Sequence, residues 1–123
     1  TNLNGNRGGV SGADSTCNSL ADASGLEGTY KAWIADSNAA SAPATRFAQA
    51  SVPYKLVNGT TVADNWADLT DGTLDAAINI MANGGAAFIG NGVWTNVTTS
   101  GAQKGTVNTC VDWTSSISGD GIN

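Results

Sequence analysis

Hydrophobic and polar positions near the start of the chain predict one short helix. Within Ala13–Ala23, Cys17, Leu20 and Ala21 recur at the i, i+3, i+4 spacing of one helix face. Gly25 follows shortly after and can end the helix, because glycine readily adopts the left-handed conformation found at helix C-termini. This region is therefore predicted to be a helix that packs one narrow apolar face.

The middle of the chain carries the clearest local signal, a β-hairpin. Asn58-Gly59 separates two apolar runs, Tyr54–Val57 and Thr60–Ala63. Both turn residues accept positive φ, so the pattern predicts a tight type I′ turn. A helical turn is expected before the hairpin at Ala44–Ala50, and a compact turn after it at Asn65–Leu69.

The remaining pattern predicts short strands joined by loops. Aromatic and β-branched residues alternate as in a strand over Thr29–Ile34 and again over Thr106–Thr114. Ala86–Ile89 and Gly92–Thr95 fit short strands or loop segments that cross the core, and Thr73–Met81 fits a helix or a strand. Together these elements predict an α+β domain.

Composition excludes several functions. Charged residues make up 12% of the 123-residue chain, and the net charge is −5. Five scattered cations cannot form a basic patch, so nucleic-acid binding is not expected. The absence of histidine excludes His-based catalysis and zinc sites with His ligands. No apolar run approaches the roughly 18 residues of a membrane span.

Polar, uncharged residues dominate what remains, with 16 Gly, 14 Thr, 13 Asn and 11 Ser. Such a composition is typical of secreted or cell-surface proteins. There, Cys17 and Cys110 can oxidise to a disulfide, which would stabilise the fold by roughly 4 kcal/mol in the chain-entropy model. Two buried free thiols are the alternative.

Five motifs occur in an order that resembles a known group of domains: GGVSGAD-x2-C, LEGTYKAW, DNWADLTDG, GVWT and C-x-x-W-T. Together they resemble an uncharacterised family of bacterial extracellular domains, similar in turn to the endostatin-like branch of the C-type-lectin fold. The match covers Gly8 to Thr114. It implies one C-type-lectin-like domain over residues 1–123, with short twisted antiparallel strands, one or two helices, long loops, and loop-like ends at 1–7 and 115–123.

The chain departs from this fold at its ends and in its cysteines. The terminal strands usual in the fold are not evident, and the usual disulfide partners of Cys17 and Cys110 are absent. Either these two cysteines bond to each other, or the native chain is longer, or a neighbouring chain supplies strands. Endostatin-type zinc binding relies on histidine and is not carried over.

Four aspartates within twelve residues are candidate ligands for Ca²⁺, which takes six to eight oxygen atoms. Asp64, Asp68 and Asp71 are the predicted metal residues, with Asp75 close behind them. No EF-hand spacing is present, and the EPN and QPD tripeptides of calcium-dependent lectins are missing. Capping of turns is therefore the preferred interpretation, with calcium as the alternative and no other cofactor expected.

The four tryptophans are predicted to form one aromatic core, although Trp94 is also a candidate for ligand binding. An indole face also packs well against the C–H face of a sugar. Trp94 lies in a loop-rich region between Asn91 and Asn96, so these three residues form the predicted ligand-binding site. Burial is the alternative for Trp94, and it is the expected state of the other three, Trp33, Trp66 and Trp113.

No pattern of catalytic residues is present, so the protein is not expected to be an enzyme. Without histidine, a nucleophile would need Lys or a carboxylate as its base, and no Ser-x-x-Lys pattern occurs. Asp112, beside Trp113, is a candidate for an acid of raised pKa, although nothing in the spacing of the ten acidic residues selects a catalytic pair. The sequence favours an extracellular or cell-surface recognition module that binds glycan or protein. The alternative is a structural subunit of a filament or matrix, assembled from copies of itself.

Overall fold

The computed structural model describes residues 4–87, 93–107 and 109–116. They form a small domain of helices and sheet, which confirms the α+β class, and their one sheet has two antiparallel strands. The elements are α1 (Gly9–Ala23), a 3-10 turn (Ala39–Ser41), α2 (Pro43–Arg46), β1 (Tyr54–Lys55), β2 (Thr61–Ala63), α3 (Trp66–Leu69) and α4 (Cys110–Trp113).

Helix α1 begins before the predicted start at Ala13, and it ends just before Gly25, as the sequence predicts. Gly25 has φ 69°, and its N–H donates to the Asp22 carbonyl at 3.0 Å, while the Leu26 N–H donates to the Ala21 carbonyl at 2.9 Å. This pair of bonds is a Schellman motif, which satisfies carbonyls that the helix end leaves open. Ala21 is buried but Leu20 is exposed, so the predicted apolar face is only partly used.

The strand predicted at Thr29–Ile34 is wrong, because side chains of α1 take the place of a neighbouring strand. The Asn18 amide accepts a hydrogen bond from the Tyr30 N–H at 2.9 Å and donates to the Tyr30 carbonyl at 2.8 Å. Asp14 accepts one from the Ala32 N–H at 2.7 Å. The backbone of the segment is therefore hydrogen-bonded without belonging to a sheet, and it turns at Trp33, where the Ile34 N–H donates to the Ala32 carbonyl at 3.0 Å.

The predicted hairpin is present, but its loop has three residues and not two. The Gly59 N–H donates to the Leu56 carbonyl at 2.8 Å, and the Leu56 N–H donates to the Thr60 carbonyl at 2.9 Å. Gly59 has φ 88°, whereas Asn58 is not among the residues of positive φ. A type I turn followed by one left-handed glycine explains this geometry, so the type I′ prediction is corrected.

Three predicted regions beyond the hairpin lack regular structure where they are described. Thr73–Met81 is neither helix nor strand, apart from an isolated bridge between Ile80 and Ala86. Ala86 is otherwise irregular, as are residues 93–95 of the segment predicted at Gly92–Thr95. The rest of those two segments lies outside the described residues.

The aromatic core is smaller than predicted. Trp33 packs edge-on against Phe47 with centroids 5.7 Å apart, and Trp66 lies 5.9 Å from Trp33 and 6.5 Å from Tyr54. Trp113 is separately buried. Trp94 is 54% exposed, so it does not belong to a core. The prediction of one core of four tryptophans is therefore wrong for both Trp94 and Trp113, and Trp33 and Trp66, which do share a cluster, are only partly buried.

The strand predicted at Thr106–Thr114 is replaced at its end by the left-handed turn α4. Its four residues all have positive φ, between 50° and 63°. Each L-residue in this conformation costs roughly 1–2 kcal/mol. Three hydrogen bonds to residues outside the turn stabilise it. The Thr109 hydroxyl accepts the Asp112 N–H at 3.2 Å, and the Asp112 carboxylate accepts the Ser37 N–H at 2.8 Å. The Trp113 carbonyl accepts the Arg7 N–H at 2.7 Å.

Val111 provides a direct test of this strain. Its side chain is 60% exposed and its φ is 52°, so the β-branched group gains little from burial. We expect Val111→Gly to raise the free energy of unfolding by about 0.5–1 kcal/mol, because relief of the left-handed strain exceeds the entropic cost of glycine. Urea denaturation measures the change. Val107→Gly is the matched control, since Val107 is also exposed but lacks positive φ; a loss of stability in both variants would contradict the prediction.

The predicted disulfide between Cys17 and Cys110 is not formed, and both residues are free thiols. The two thiols have different surroundings. Cys110 is buried against the backbone of Gly5. A Cβ added at Gly5 would lie only 2.6 Å from the Cys110 Sγ. Cys17 is on α1, where burial, together with the nearby Asp14 carboxylate, raises the pKa of its thiol. A thiol with a raised pKa is a poor nucleophile.

Candidate functional site

An open groove of about 330 Å³ is the candidate binding site. Two short segments line it, one from the loop before β1 and the other at the start of α3. None of the lining residues is charged, and the aromatic one is a tryptophan. They are Gln49, Ala50, Ser51, Asn65, Trp66 and Ala67.

Backbone hydrogen bonds hold the two walls of the groove together. The Trp66 N–H donates to the Ala50 carbonyl at 2.9 Å, and the Ala50 N–H donates to the Tyr54 hydroxyl at 3.0 Å. Asn65 caps α3 by accepting the Asp68 N–H at 3.1 Å. The groove is therefore positioned by the hairpin and by a capped helical turn, as a binding site on fixed elements requires.

The residues that line the groove carry an indole, two amides and a hydroxyl, and the Trp66 ring also packs against Trp33, Phe47 and Tyr54. Trp66 is partly exposed, while Gln49 and Ser51 are exposed. The Gln49 amide nitrogen donates to the Ala44 carbonyl at 3.0 Å, which leaves its side-chain oxygen as an acceptor. Indole faces pack against apolar faces of ligands, and amides and hydroxyls bond to ligand hydroxyls. A sugar offers both kinds of surface.

A cluster of three carboxylates includes the two residues that flank the groove segment 65–67 in the chain. Asp64, Asp68 and Asp75 each place an oxygen within 4.8 Å of the others. Asp64 directly precedes the lining residue Asn65 in the chain, and its N–H donates to Asp68 at 2.7 Å. Asp75 is brought in by its own N–H, which donates to the Val62 carbonyl of β2 at 3.0 Å.

Asp71, predicted as the third metal residue, is not part of this cluster. Its carboxylate accepts the N–H and the hydroxyl of Thr73, both at 2.8 Å, and so caps a turn. These hydrogen bonds lower the pKa of Asp71, and the one from the Thr73 N–H has the larger effect. Asp64 and Asp68 of the predicted set do lie in the cluster, but the sequence could not show that the chain folds Asp75 back against β2.

The carboxylate cluster fits a calcium ion only in part. With one oxygen from each carboxylate, the cluster supplies three of the six to eight oxygens that Ca²⁺ takes, so bidentate binding or water would have to complete the shell. The hydrogen bond from Asp64 to Asp68 supports the turn-capping interpretation. The carboxylates of Asp64 and Asp75 accept no hydrogen bond from any residue in the described ranges.

Neutralising Asp75 distinguishes these two interpretations. We expect Asp75→Asn to raise the free energy of unfolding by about 0.2–0.5 kcal/mol in the presence of EDTA, because like charges close together repel. Thermal melts in EDTA and in 5 mM CaCl₂ measure the effect. A large rise in Tm of the unmodified protein with calcium, lost in the variant, would contradict turn capping and establish a cation site.

The three residues predicted to bind ligand, Asn91, Trp94 and Asn96, do not form one site among the described residues. Asn91 lies outside the described residues. Trp94 is exposed, in line with an accessible position, but it does not line the groove. The Asn96 amide nitrogen donates to the carbonyls of Ala35, Asp36 and Gly105, at 3.3, 3.2 and 2.8 Å. Asn96 therefore ties loops together, and its side-chain oxygen alone is left for a ligand.

The suggestion of an acid with raised pKa at Asp112 is wrong. The Ser37 hydroxyl and the Ser37 N–H both donate to this carboxyl at 2.8 Å and lower its pKa. The hydroxyl has the larger effect. Thr109 adds a third donor at 3.1 Å. Asp112 is thus a structural carboxylate that joins α4 to the loop before the 3-10 turn.

Sequence reasoning missed the groove residues Gln49 and Ser51. No signal in the sequence marks them, since the groove exists only where the loop before β1 meets the start of α3.

Among the described residues, no helix is long and apolar enough to cross a membrane. No protein-family model matches the chain, and no curated protein proves similar in sequence.

Proposed function

We propose that this domain is an extracellular recognition module that binds glycan in the groove between residues 49–51 and 65–67. The observation that carries the proposal is the lining itself, where Trp66 stands among uncharged amide and hydroxyl groups. The groove is open, as suits a chain of sugars, and the low charge of the protein supports a place outside the cell or on its surface.

We further propose that the fold is C-type-lectin-like. The five motifs in order support this, as do the early helix, the small antiparallel sheet and the long connecting segments. A fold of this kind does not fix a ligand, so the assignment of glycan rests on the groove and not on the fold.

Titration with oligosaccharides tests the proposed function. We expect intrinsic tryptophan fluorescence to change on addition of a binding oligosaccharide, with a Kd of about 1 mM, because an open groove buries little of its ligand. Ser51→Tyr fills the groove and is expected to weaken binding at least tenfold. Ser19→Tyr is the matched control, since Ser19 is exposed on α1 away from the lining residues.

The thermal stability of both serine variants should match that of the unmodified protein, which separates blocked binding from unfolding. Equal binding by the Ser51 and Ser19 variants would show that the groove is not the site. A complete lack of binding across neutral, amino and acidic oligosaccharides would overturn the function itself.

A second function, that of a self-associating structural subunit, is favoured by a different observation. Residues 76–103 contain no charged residue, and their exposed side chains include Ile78, Met81, Val93 and Trp94. Surfaces poor in charge and rich in Met and Trp are typical of interface cores. Sedimentation velocity at rising concentration tests this alternative: self-association that Trp94→Lys abolishes supports it, and a monomer at every concentration excludes it.

A further inference from the structure

We infer that Asn83, and more slowly Asn58, are sites of spontaneous deamidation in the folded protein. In this reaction the backbone nitrogen of the following glycine bonds to the Asn Cγ and loses its proton, and the side-chain nitrogen leaves as ammonia. Water then adds to either carbonyl of the cyclic imide, which gives Asp or isoAsp. The inference is independent of the proposed function and is carried by the loops that contain the two residues.

Four Asn-Gly pairs occur in the chain, and they begin at Asn4, Asn58, Asn83 and Asn91. Glycine after asparagine favours the reaction, because it has no side chain to hinder its nitrogen and its backbone rotates freely. The pair at Asn91 lies outside the described residues. The other three pairs have the same sequence but different surroundings, so the structure decides which of them reacts.

Asn58 and Asn83 occupy the same position in two loops of the same geometry. In each loop the glycine N–H donates to the carbonyl three residues earlier, at 2.8 Å for Gly59 and 2.9 Å for Gly84. Both asparagines are exposed, and a Cβ built at either glycine would meet no atom of the described residues within 4 Å. Rotation into the reactive conformation is therefore opposed by the hydrogen bonds of the loop and not by packing at the glycine.

The loop at Asn83 is the more weakly held of the two. The loop at Asn58 joins β1 to β2, and the last two residues of β2 are buried. The loop at Asn83 is flanked by an isolated bridge between Ile80 and Ala86, and Ala86 is exposed. Segments with fewer buried contacts open locally at a lower free energy, so Asn83 is expected to react first.

Asn4 is protected, because the glycine after it is packed. Gly5 is buried, and a Cβ built there would lie 2.6 Å from the Cys110 Sγ and 2.7 Å from the Ser115 carbonyl oxygen. A close-packed backbone of this kind cannot rotate freely, and it has no space for the methylene group that isoAsp adds to the main chain. Asn4 is therefore expected to react only when this region unfolds.

Reaction at Asn83 would change the charge of its surroundings. Residues 76–103 contain no charged residue. The position of a Cβ at Gly85 lies 3.1 Å from the Asn83 Oδ1 and 3.2 Å from the Met81 Cε, so the new carboxylate would lie near the exposed Met81 side chain. Since charged residues are depleted from interface cores, deamidation would oppose self-association through this surface.

A third loop of the same geometry provides a matched substitution. The Thr98 N–H donates to the Ala102 carbonyl at 2.8 Å, and the Gly101 N–H donates to the Thr98 carbonyl at 3.0 Å, as in the other two loops. Ser100 occupies the position that asparagine has in those loops. Asn83→Ser and Asn58→Ser are therefore expected to keep their loops and to remove the reactive amide.

The experiment follows each asparagine during incubation at pH 8.0 and 37 °C, with the protein folded in buffer or unfolded in guanidinium chloride. After digestion with pepsin at acid pH, tandem mass spectrometry locates the mass increase of about 1 Da that deamidation causes. In the folded protein we expect Asn83 to react about three- to tenfold faster than Asn58, the ratio that a difference of about one net hydrogen bond gives. Asn4 should be the slowest of the three. In guanidinium the three rates should become similar, because only the shared Asn-Gly sequence remains.

The variants separate the two sites. Asn83→Ser should abolish the faster reaction and leave the rate at Asn58 unchanged, and Asn58→Ser should do the reverse. Equal rates at Asn83 and Asn58 in the folded protein would overturn the inference, as would a rate at Asn4 that matches the rate at Asn83. A folded protein that stays unmodified while the unfolded chain reacts would also overturn it, and this comparison needs no variant to fold.

Discussion

Replacing Arg46 with Ala will lower the free energy of unfolding by about 2–4 kcal/mol, a large part of the 5–15 kcal/mol typical of a domain, and Arg46→Lys, which keeps the charge, will lower it by about 1–3 kcal/mol. The Arg46 side chain is 16% exposed and its partner Asp14 is 25% exposed, so the ion pair is mostly shielded from water. Removing one member would leave the other charge without its partner, which is the costly way to break such a pair.

The geometry explains why lysine cannot substitute. The Arg46 guanidinium donates to Asp14 on α1 at 2.6 Å, to the Ala32 carbonyl at 2.6 Å and to the Ser41 carbonyl at 2.9 Å. A planar guanidinium with five N–H donors can donate to these three acceptors at the same time. Lysine has a single ammonium group on a flexible stem and would leave two carbonyls without donors.

Urea denaturation measures this effect, and Lys55→Ala is the control, because Lys55 is an exposed cation on β1. We expect the control to change the free energy of unfolding by less than 0.5 kcal/mol. A double-mutant cycle with Asp14→Ala should give a coupling of at least 1 kcal/mol. An Arg46→Lys variant as stable as the unmodified protein would show that the guanidinium network does not hold the fold.

Replacing Trp113 with Ala will cost about 3–5 kcal/mol, the usual penalty for emptying a core position filled by a large aromatic residue. Trp113 is 4% exposed, and its indole N–H donates to the Ala35 carbonyl at 2.9 Å. Its carbonyl also accepts the Arg7 N–H, so the residue joins both ends of the described chain to the central loop. In a domain with few fully buried large side chains, this loss is expected to unfold a measurable fraction at 37 °C.

Trp113→Phe separates packing from hydrogen bonding. It keeps an aromatic ring but removes the donor to Ala35, and we expect a smaller loss of about 1–3 kcal/mol. Trp94→Ala is the matched control, since Trp94 is exposed and should change stability by less than 0.5 kcal/mol. Thermal melts followed by far-UV circular dichroism give the comparison. Equal losses for the Trp94 and Trp113 variants would contradict the assignment of Trp113 to the core.

Local signals were reliable where the interaction itself is local. The end of α1 at Gly25 and the hairpin around Gly59 follow from the backbone freedom of glycine, and the cap of α3 follows from Asn65 three residues before its bonding partner. The hairpin loop still differs from the prediction by one residue, because neighbouring contacts and a bulge between Tyr54 and Lys55 set the register.

The strand predictions failed because alternation alone does not show what pairs with a backbone. Residues 29–34 have the pattern of a strand, yet their partners are the side chains of Asn18 and Asp14 on α1. Residues 110–113 alternate in the same way, but Asp112 and Trp113 are drawn to the loop at 35–37, and the turn takes a left-handed path. Such pairings join residues far apart in sequence.

The sequence by itself determined the α+β class, the absence of histidine chemistry, the early helix, the hairpin and two members of the carboxylate cluster, because each depends on composition or on neighbours within a few residues. The tertiary structure decided that Asp75 replaces Asp71 in the cluster, that the two cysteines stay free, that Trp94 is exposed while Trp113 is buried, and that a groove forms beside Trp66. These features depend on which distant segments meet, and that depends on the packing of the whole chain.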